Sequence, residues 1–444
     1  MTTNPTNSGS ESPTELQPNP PADLEAPKSA VGSPSPASKS NDPTFIYVIC
    51  QNGAEAATKL ELMSASLNLN LAFSRPGFIT FKVDSRNQLT ERFSLPSTLA
   101  RTYGWSLGKS VGDEATELVE QIAQHPKLAA AKHIHIWQRD PVLPGRNGFE
   151  PGVSELAAAI GELFGSTKVV KKNGQWINRV AKPGDLVFDI VMVEPNEWWY
   201  GYHFADTIAQ RWPGGVPMMD TTIETCSRAY FKLKEALLWS GITIKPGDIC
   251  AEVGSAPGGA SQLLLEMGAQ VIGIDPAEME PEILEHENFT FIRRRSSEVK
   301  KRDLRDVKWL IVDVNAAPKF TLDAVTELVQ HPSIDVKGII LTIKLLERKL
   351  IGEIPKLMAQ VKALGFQVVK SRQLAFNRNE FCLVGVKDKF VLRSGKKTKK
   401  IGKPGPESKP KSEPESEAKP EWIVESTPES GLEPKPESET KSDS

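Results

Sequence analysis

The sequence predicts an α/β protein: a mostly parallel sheet carrying an antiparallel edge hairpin, preceded by a smaller α+β domain and flanked by disordered tails. From about residue 219, apolar strand-like runs alternate regularly with helix-like segments, which is the pattern of a parallel sheet. The last two strand-like runs lie close together, as the strands of an antiparallel hairpin do. Both ends of the chain are rich in Pro and Ser and poor in large apolar side chains.

Composition places the chain among ordinary soluble proteins. Its 444 residues allow about two or three domains, and 39% hydrophobic with 25% charged residues is enough to form a core. The formal net charge of -2 shows no overall basic excess, so any RNA surface must be a local patch.

The cysteines and the apolar segments predict a reducing, cytoplasmic location. Cys50, Cys226, Cys250 and Cys382 are too widely spaced for a disulfide framework or a paired-cysteine metal site. There is no run of about 18 apolar residues, and no N-terminal signal pattern. We therefore expect neither export nor a membrane-spanning segment, and no bound metal.

The two ends, residues 1–43 and 391–444, are predicted to be disordered because they hold too few apolar side chains to offset the entropy of ordering. The second contains a cluster of lysines, namely Lys396, Lys397, Lys399, Lys400 and Lys403. This cluster either keeps the tail soluble or tethers RNA loosely by charge.

Residues 44–205 are predicted to form the smaller α+β domain. Its expected strands and helices lie at 45–50, 53–66, 77–83, 115–124, 133–137 and 154–164, with two strands in 185–200. His133 and His135 share one face of their strand, but no third ligand follows at a suitable spacing. A half-buried histidine pair is therefore favoured over a metal site.

Residues 215–390 are predicted to form the larger domain. After one helix, strands are expected at 249–253, 271–275, 289–293, 309–314, 338–344, 366–374 and 381–387. In a mostly parallel sheet of this kind, ligands bind at the carboxyl ends of the strands.

A glycine-rich turn follows the first strand of this sheet. Residues 254–259 read Gly-Ser-Ala-Pro-Gly-Gly, and the strand after the next helix ends at Asp275. The turn has neither the lysine of a P-loop nor the spacing of a dinucleotide site. An acid at the tip of the second strand can bind a ribose diol, so a ligand with ribose and adenine but no pyrophosphate fits, such as S-adenosylmethionine. The alternative is a turn that only connects a strand to a helix.

Four ionisable residues occupy positions that packing alone does not explain. Asp313 and Lys344 end two apolar strands, Lys232 lies in the helix before the first strand, and Glu380 directly precedes the last strand. The topology can bring these two cations and two anions to one crevice. Taken singly, each is explained equally well as a solvated strand or helix end.

These residues resemble the FtsJ-like ribose 2'-O-methyltransferases over roughly residues 222–387. The resemblance rests on the segment SRAYFKL around Lys232, the G-x-x-P-G-G loop, and the positions of Asp313, Lys344 and Glu380. It implies a Rossmann-like methyltransferase domain that uses S-adenosylmethionine, with these four residues as the catalytic set. The cofactor-binding residues that it implies are Gly254, Ala256, Pro257, Gly258, Gly259, Asp275 and Asp313.

The stretches ICQNGAEAATKLELM, VDVNAAPKF, TIKLLERK and FNRNEF are similar to one branch of this family. That branch methylates a cytidine of large-subunit ribosomal RNA and carries an N-terminal THUMP-like domain. The similarity implies that residues 44–205 are a THUMP-like RNA-docking domain and that ribosomal RNA is the partner. One departure is Arg295, because family members have an acid there that contacts the adenine amino group.

The resemblance also implies a mechanism. Lys344, with its pKa lowered by burial and neighbouring cations, would take the proton of a ribose 2'-hydroxyl. Asp313 would orient Lys344, Lys232 would disfavour a second positive charge, and Glu380 would hold the ribose or a lysine. Two alternatives stay open: a methyltransferase of another substrate class, which would not require this set, and a catalytically weak RNA-binding relative, which Arg295 favours. The oligomeric state is not indicated.

Overall fold

The computed structural model describes residues 44–65, 67–84, 89–345 and 348–388, and within them the chain builds two sheets. The mixed α/β fold predicted from the sequence is therefore confirmed. The predicted tails and the lysine cluster at 396–403 lie outside the described residues.

The first sheet has eight strands and is accompanied by five helices in the described residues. The strands are β1 (Phe45–Ile49), β2 (Leu69–Arg75), β3 (Phe78–Val83), β4 (Thr102–Val111), β5 (His133–Gln138), β6 (Trp176–Ile177), β7 (Leu186–Glu194) and β8 (Glu197–Phe204). The helices are α1 (Glu55–Ser64), α2 (Ala115–Ala123), α3 (Pro126–Ala130), α4 (Glu155–Ser166) and α5 (Lys168–Asn173). The strand order is β2-β3-β1-β4-β8-β7-β5-β6, and β5 alone runs parallel to its neighbours, β6 and β7.

Three strands of this sheet, namely β2, β4 and the two-residue β6, are absent from the sequence prediction, and the first two have a clear physical reason. The edge strand β2 is exposed or half-buried along most of its length, so its sequence lacks a clear apolar face. The buried half of β4 contains Gly104, where a side chain would lie 2.5 Å from the carbonyl oxygen of Tyr202 on β8. Glycine weakens the strand pattern but allows β8 to approach.

The second sheet has seven strands and five accompanying helices in the described residues. The strands are β9 (Ile249–Val253), β10 (Gln270–Ile274), β11 (Phe289–Ile292), β12 (Trp309–Val312), β13 (Gly338–Lys344), β14 (Val368–Arg372) and β15 (Glu380–Val386). The helices are α6 (Ala229–Ser240), α7 (Gly259–Glu266), α8 (Pro281–Leu284), α9 (Pro318–Val329) and α10 (Ile354–Ala363). Every strand predicted here is present, with its ends within a residue or two of the expected position.

The order of this sheet, β11-β10-β9-β12-β13-β15-β14, puts β15 antiparallel between β13 and β14. The hairpin predicted at the edge is therefore formed by β14 and β15. Because β9, β12 and β13 are parallel and in register, Val253, Val312 and Leu341 lie side by side. The residues that follow β9 and β12 consequently emerge at the same edge, where β13 also ends.

Short 3-10 helices and unpaired cysteines complete the described chain. The 3-10 segments are Ala209–Arg211, Pro213–Gly215, Ser296–Glu298, Lys301–Leu304 and Arg348–Glu353. All four cysteines are free. In the residues that the structure describes, no helix has both the length and the apolar character needed to cross a membrane.

Buried polar contacts join the two sheets. Arg372, at the end of β14, donates to the carbonyl oxygens of Arg101 at 2.8 Å and Gly215 at 2.7 Å. The Arg101 guanidinium makes a bidentate, buried pair with Asp140 at 2.6 and 3.2 Å. Leu99 packs in the apolar core of the second sheet. Since a hydrogen bond from a charged group contributes about 1.5 to 3 kcal/mol, the two bonds of Arg372 help to hold the two sheets together, while the pair with Asp140 holds Arg101 in place.

Candidate active site

Lys232, Asp313, Lys344 and Glu380 meet at the carboxyl ends of β12 and β13. Lys232 Nζ contacts Asp313 Oδ2 and lies 3.1 Å from Glu380 Oε1. Lys344 Nζ lies 3.3 Å from Asp313 Oδ1 and 2.5 Å from Glu380 Oε2. Each lysine bridges both carboxylates, so the four side chains form a closed array of two cations and two anions. We call this array the charged ring.

Strand register and one buried carboxylate assemble the ring. In the antiparallel pair of β13 and β15, Lys344 lies directly opposite Glu380. Lys232 reaches the ring from α6, and Glu235, one turn further along that helix, is fully buried. Its carboxylate accepts hydrogen bonds from the backbone nitrogens of Ala375 at 2.9 Å and Phe376 at 3.1 Å. This contact fastens α6 to the loop that leads into Glu380.

The ring shifts the pKa values of Asp313 and Lys344 toward their charged forms. Burial opposes the charge of Asp313, but Lys232 and Lys344 outweigh it and lower the pKa of the Asp313 carboxyl. Burial likewise disfavours the charged form of Lys344, yet Asp313 and Glu380 outweigh it and raise the pKa of that ammonium. The sequence-based expectation of a lowered pKa for Lys344 is therefore wrong for this arrangement, because two carboxylates face each lysine.

Asp275 fixes the glycine-rich loop to the end of β10. Its Oδ2 accepts a hydrogen bond from the backbone nitrogen of Ala256 at 3.2 Å, and its Oδ1 accepts one from Ala277 at 2.8 Å. A carboxylate has about four lone-pair sites, so Asp275 can still accept hydrogen bonds from a ligand. Pro257 accepts through its carbonyl oxygen from the backbone nitrogen of Glu280 at 3.0 Å. The loop is thus held at two points by the segment that follows β10.

The glycines of the loop are required by neighbouring protein atoms. Gly254 has a φ of +84°, and a side chain there would collide with the carbonyl oxygen of Asp313. At Gly258, with a φ of +131°, a side chain would lie 2.8 Å from Ile283 Cγ1, and at Gly259 it would collide with Ser227. These contacts are with protein, whereas the sequence led us to expect close approach of a ligand. One consequence is that Gly254 lies against the backbone of Asp313, which puts the loop beside the charged ring.

Glu252 is a member of the site that the sequence analysis missed. It lies in β9, is 1% exposed, and accepts a hydrogen bond from Ser261 Oγ of α7 at 2.6 Å. Burial raises the pKa of its carboxyl to about 8, and the nearby carboxylates of Asp313 and Asp275 add to the rise. Glu252 is therefore largely protonated at neutral pH. An acid within the apolar run ICAEV was a signal that could have identified it.

Arg295 lies where a carboxylate was expected for the adenine. It follows β11 and is exposed, and its carbonyl oxygen accepts from the backbone nitrogen of Glu298 at 2.9 Å. Arg293, also exposed, pairs with Glu278 at 3.1 Å. The structure thus places an exposed arginine, and not a carboxylate, after β11.

The histidines of β5 are held by the protein itself. His133 Nε2 lies 3.3 Å from Asp185 Oδ2, and His135 Nε2 lies 3.0 Å from the carbonyl oxygen of Arg179. Within the described ranges, no group of three or more His, Cys, Asp or Glu side chains has the arrangement of a metal site.

Residues 225–371 match the family of FtsJ-like methyltransferases. This region is an FtsJ-like methyltransferase domain. It includes Lys232, Asp313 and Lys344, while Glu380 follows it by a few residues.

The chain is also similar to curated proteins named ribosomal RNA large subunit methyltransferase M. The protein from Halorhodospira halophila is 26% identical over 172 residues, which cover 38% of this chain and 49% of that protein. The one from Methylococcus capsulatus is 29% identical over 122 residues, covering 27% and 34%. The chain therefore spans about half or less of the length of these relatives.

Solved structures align with the chain only at low TM-scores. TrmN from Thermus thermophilus gives 0.27 at 11% identity, covering 77% of this chain and 99% of that one. The 1,6-didemethyltoxoflavin-N1-methyltransferase of Burkholderia thailandensis gives 0.26 at 15% identity, covering 32% and 72%. The assignment of the methyltransferase domain rests on the family match and not on these likenesses.

Proposed function

We propose that the chain transfers a methyl group from S-adenosylmethionine to a ribose 2'-hydroxyl of RNA, and that the target is a cytidine of large-subunit ribosomal RNA. The observation that carries the proposal is the charged ring beside the glycine-rich loop. Transfer to oxygen requires a group that removes a proton at the place where the methyl donor binds, and the ring provides such groups. The names of the relatives from Halorhodospira halophila and Methylococcus capsulatus support ribosomal RNA as the substrate.

The residues around the loop fit S-adenosylmethionine. Asp275 would accept hydrogen bonds from the ribose hydroxyls, and the backbone of residues 254–259 together with Asp313 would hold the rest of the molecule. The loop has no lysine or arginine that would bind a pyrophosphate. When bound, the cofactor supplies an electrophilic methyl group on a positively charged sulfur.

Lys344 is the proposed proton acceptor. Lys344, as the neutral amine, would accept the proton of the ribose hydroxyl as the hydroxyl oxygen takes the methyl group, and the methyl–sulfur bond would break with its electron pair staying on sulfur, leaving a neutral thioether. Asp313 and Glu380 hold the lysine in place, which contributes through orientation. Lys344 must first lose the proton that the ring favours. An additional positive charge in the crevice, or a hydroxyl that occupies Glu380, lowers its pKa.

A cavity of about 410 Å³ in the first sheet supports RNA docking by the N-terminal region. Three cations, Lys132, Arg179 and Lys182, line it together with Trp176, whose side chain is 51% exposed, and with Asp185, which pairs with Lys132 at 2.9 Å. The Arg179 guanidinium lies 4.7 Å from the centre of the Trp176 ring. A cationic aromatic surface of this kind can stack an unpaired base and bind phosphates. We call it the docking cavity, and we propose that it is the RNA-binding element of residues 44–205.

The exposed Arg295 favours a second candidate, a catalytically weak RNA-binding relative, because a cation replaces the acid expected beside the adenine. Calorimetric titration of the protein with S-adenosylmethionine separates the two. The methyltransferase proposal predicts saturable binding, and the weak relative predicts none in the presence of RNA.

The proposal is tested by the position of the methyl group. The protein is incubated with radiolabelled S-adenosylmethionine and unmethylated large-subunit ribosomal RNA. We expect label in a dinucleotide that survives alkaline hydrolysis, because a 2'-O-methyl group blocks strand cleavage. The matched control carries a 2'-deoxynucleotide at the mapped position and should accept no label. Label on a base, or on protein instead of RNA, would contradict the proposal.

A further inference from the structure

We infer that a cavity between the two sheets receives the base of the nucleotide whose ribose is methylated, and that it selects a base bearing an amino group. The inference rests on the proposed function and adds the group that the enzyme recognises. The cavity has a volume of about 250 Å³. Pockets for drug-sized ligands hold roughly 300 to 1,000 Å³, so this cavity suits a single nucleobase.

The cavity adjoins the charged ring. Leu345, which directly follows Lys344, and Asn379, which directly precedes Glu380, both line it. The backbone nitrogen of Leu345 donates to the carbonyl oxygen of Asn379 at 2.7 Å. The base and the 2'-oxygen are attached to adjacent carbons of a ribose. A ribose with its 2'-hydroxyl at the ring is therefore close enough to place its base in this cavity.

The opposite wall comes from the N-terminal region. It is formed by Gln51 and Asn52 after β1, Ala56 on α1, and Leu99. No charged side chain lines the cavity among the described residues, in contrast to the three cations of the docking cavity. A neutral lining of amides and apolar side chains fits the flat ring of a base and not a phosphate.

The amide of Gln373 gives the cavity its preference. Its Nε2 donates to Gln51 Oε1 at 3.2 Å and to the carbonyl oxygens of Arg378 at 3.1 Å and Glu380 at 3.4 Å. These three acceptors fix the orientation of the amide, and its buried Oε1 has no hydrogen-bond partner among the described residues. A buried acceptor without a partner is costly, so a donor from the ligand is favoured.

Asn52 adds a second acceptor. Its Nδ2 donates to the carbonyl oxygens of Asp140 at 3.1 Å and Pro141 at 2.9 Å, which leaves the carbonyl oxygen to accept. The exocyclic amino group of cytosine is a donor, whereas uracil presents a carbonyl oxygen at the same position. The cavity therefore favours cytosine over uracil.

Ala56→Phe tests the inference without removing a hydrogen bond. Ala56 lies on the exposed face of α1 and lines the cavity, so the phenyl ring of a phenylalanine at this position would enter the cavity. Met63→Phe is the matched control, because Met63 is on the same helix, is 59% exposed, and does not line the cavity. The substrate is a ribosomal RNA fragment that carries the mapped nucleotide, with cytosine, uracil or no base at that position.

We expect Ala56→Phe to lower kcat/KM for the cytosine fragment at least about tenfold, with unchanged thermal midpoint and S-adenosylmethionine affinity, while Met63→Phe behaves as the parent. Removing the base, or replacing it by uracil, should lower the kcat/KM of the parent about tenfold. The same changes should lower the already reduced kcat/KM of Ala56→Phe only slightly further. Parental kinetics in Ala56→Phe, or equal rates for the parent on cytosine and abasic fragments, would overturn the inference while leaving the proposed function intact. If the parent methylates no ribose in any RNA, the proposed function fails and the inference falls with it.

Discussion

Replacing Glu252 with glutamine should change how the stability of the protein depends on pH. The folded structure raises the pKa of this buried carboxyl from an ordinary value of 4.5 to about 8. The stability that the protonated Glu252 carboxyl contributes is fully present below about pH 4.5 and is lost as the pH rises to about 8. Each pKa unit corresponds to about 1.4 kcal/mol, so the full loss is on the order of 5 kcal/mol. Glutamine keeps an amide group next to Ser261 but does not titrate.

Urea unfolding of the parent and Glu252→Gln between about pH 5 and about pH 8 measures the effect. Other titrating groups are common to both proteins and cancel in the difference. We expect the free energy of unfolding of Glu252→Gln, relative to that of the parent, to rise by roughly 3 kcal/mol or more from the lower to the higher pH. Glu285→Gln, at an exposed site directly after α8, should follow the parent. A difference between Glu252→Gln and parent that stays constant with pH would refute the assignment of a neutral carboxyl in β9.

Two further substitutions test the cofactor site and the docking cavity. Asp275→Ala should weaken S-adenosylmethionine binding by about 1 to 3 kcal/mol through lost hydrogen bonds, measured by calorimetry, and an unchanged affinity would remove Asp275 from the site. The double variant Lys132→Ala and Lys182→Ala should weaken RNA binding and reduce the slope of log affinity against log salt by roughly 1.5, since two phosphate contacts are lost. Its control is Lys319→Ala, whose exposed lysine pairs with Asp323 within α9, and an unchanged salt slope in the double variant would argue against phosphate binding in the cavity.

The strands of the second sheet could be predicted because they are short apolar runs, buried in a layered sheet and separated by helices. The same logic identified Asp313, Lys344 and Glu380, since a charged residue at the end of an apolar strand interrupts the pattern. In the first sheet the pattern fails where exposure or a glycine removes it, as in β2 and at Gly104. The THUMP-like character of residues 44–205 and the boundaries of the two domains stay predictions.

Properties that depend on distances could not be read from the sequence. The direction of the pKa shift of Lys344 follows from two carboxylate contacts at 2.5 and 3.3 Å, and only the folded register reveals them. The sequence predicted a turn at the glycines of the loop. No side chain fits at these positions because Asp313, Ile283 and Ser227, which are distant in sequence, approach the loop closely. Glu235 escaped notice because a charged residue on a helix is usually solvated, and its backbone partners come from a loop far along the chain.

The pH dependence of single-turnover methyl transfer tests the central claim most directly, with S-adenosylmethionine and RNA both saturating. Because only the neutral amine of Lys344 accepts a proton, the parent rate should rise with pH from about 6 to about 9, approaching tenfold per unit below the pKa of this group. Lys344→Ala should be at least about a hundredfold slower and lack this slope while still binding S-adenosylmethionine. Lys344→Arg, which keeps the charge but does not deprotonate, should be equally slow. A parental rate in Lys344→Ala, or a parent rate that does not change with pH, would contradict the account.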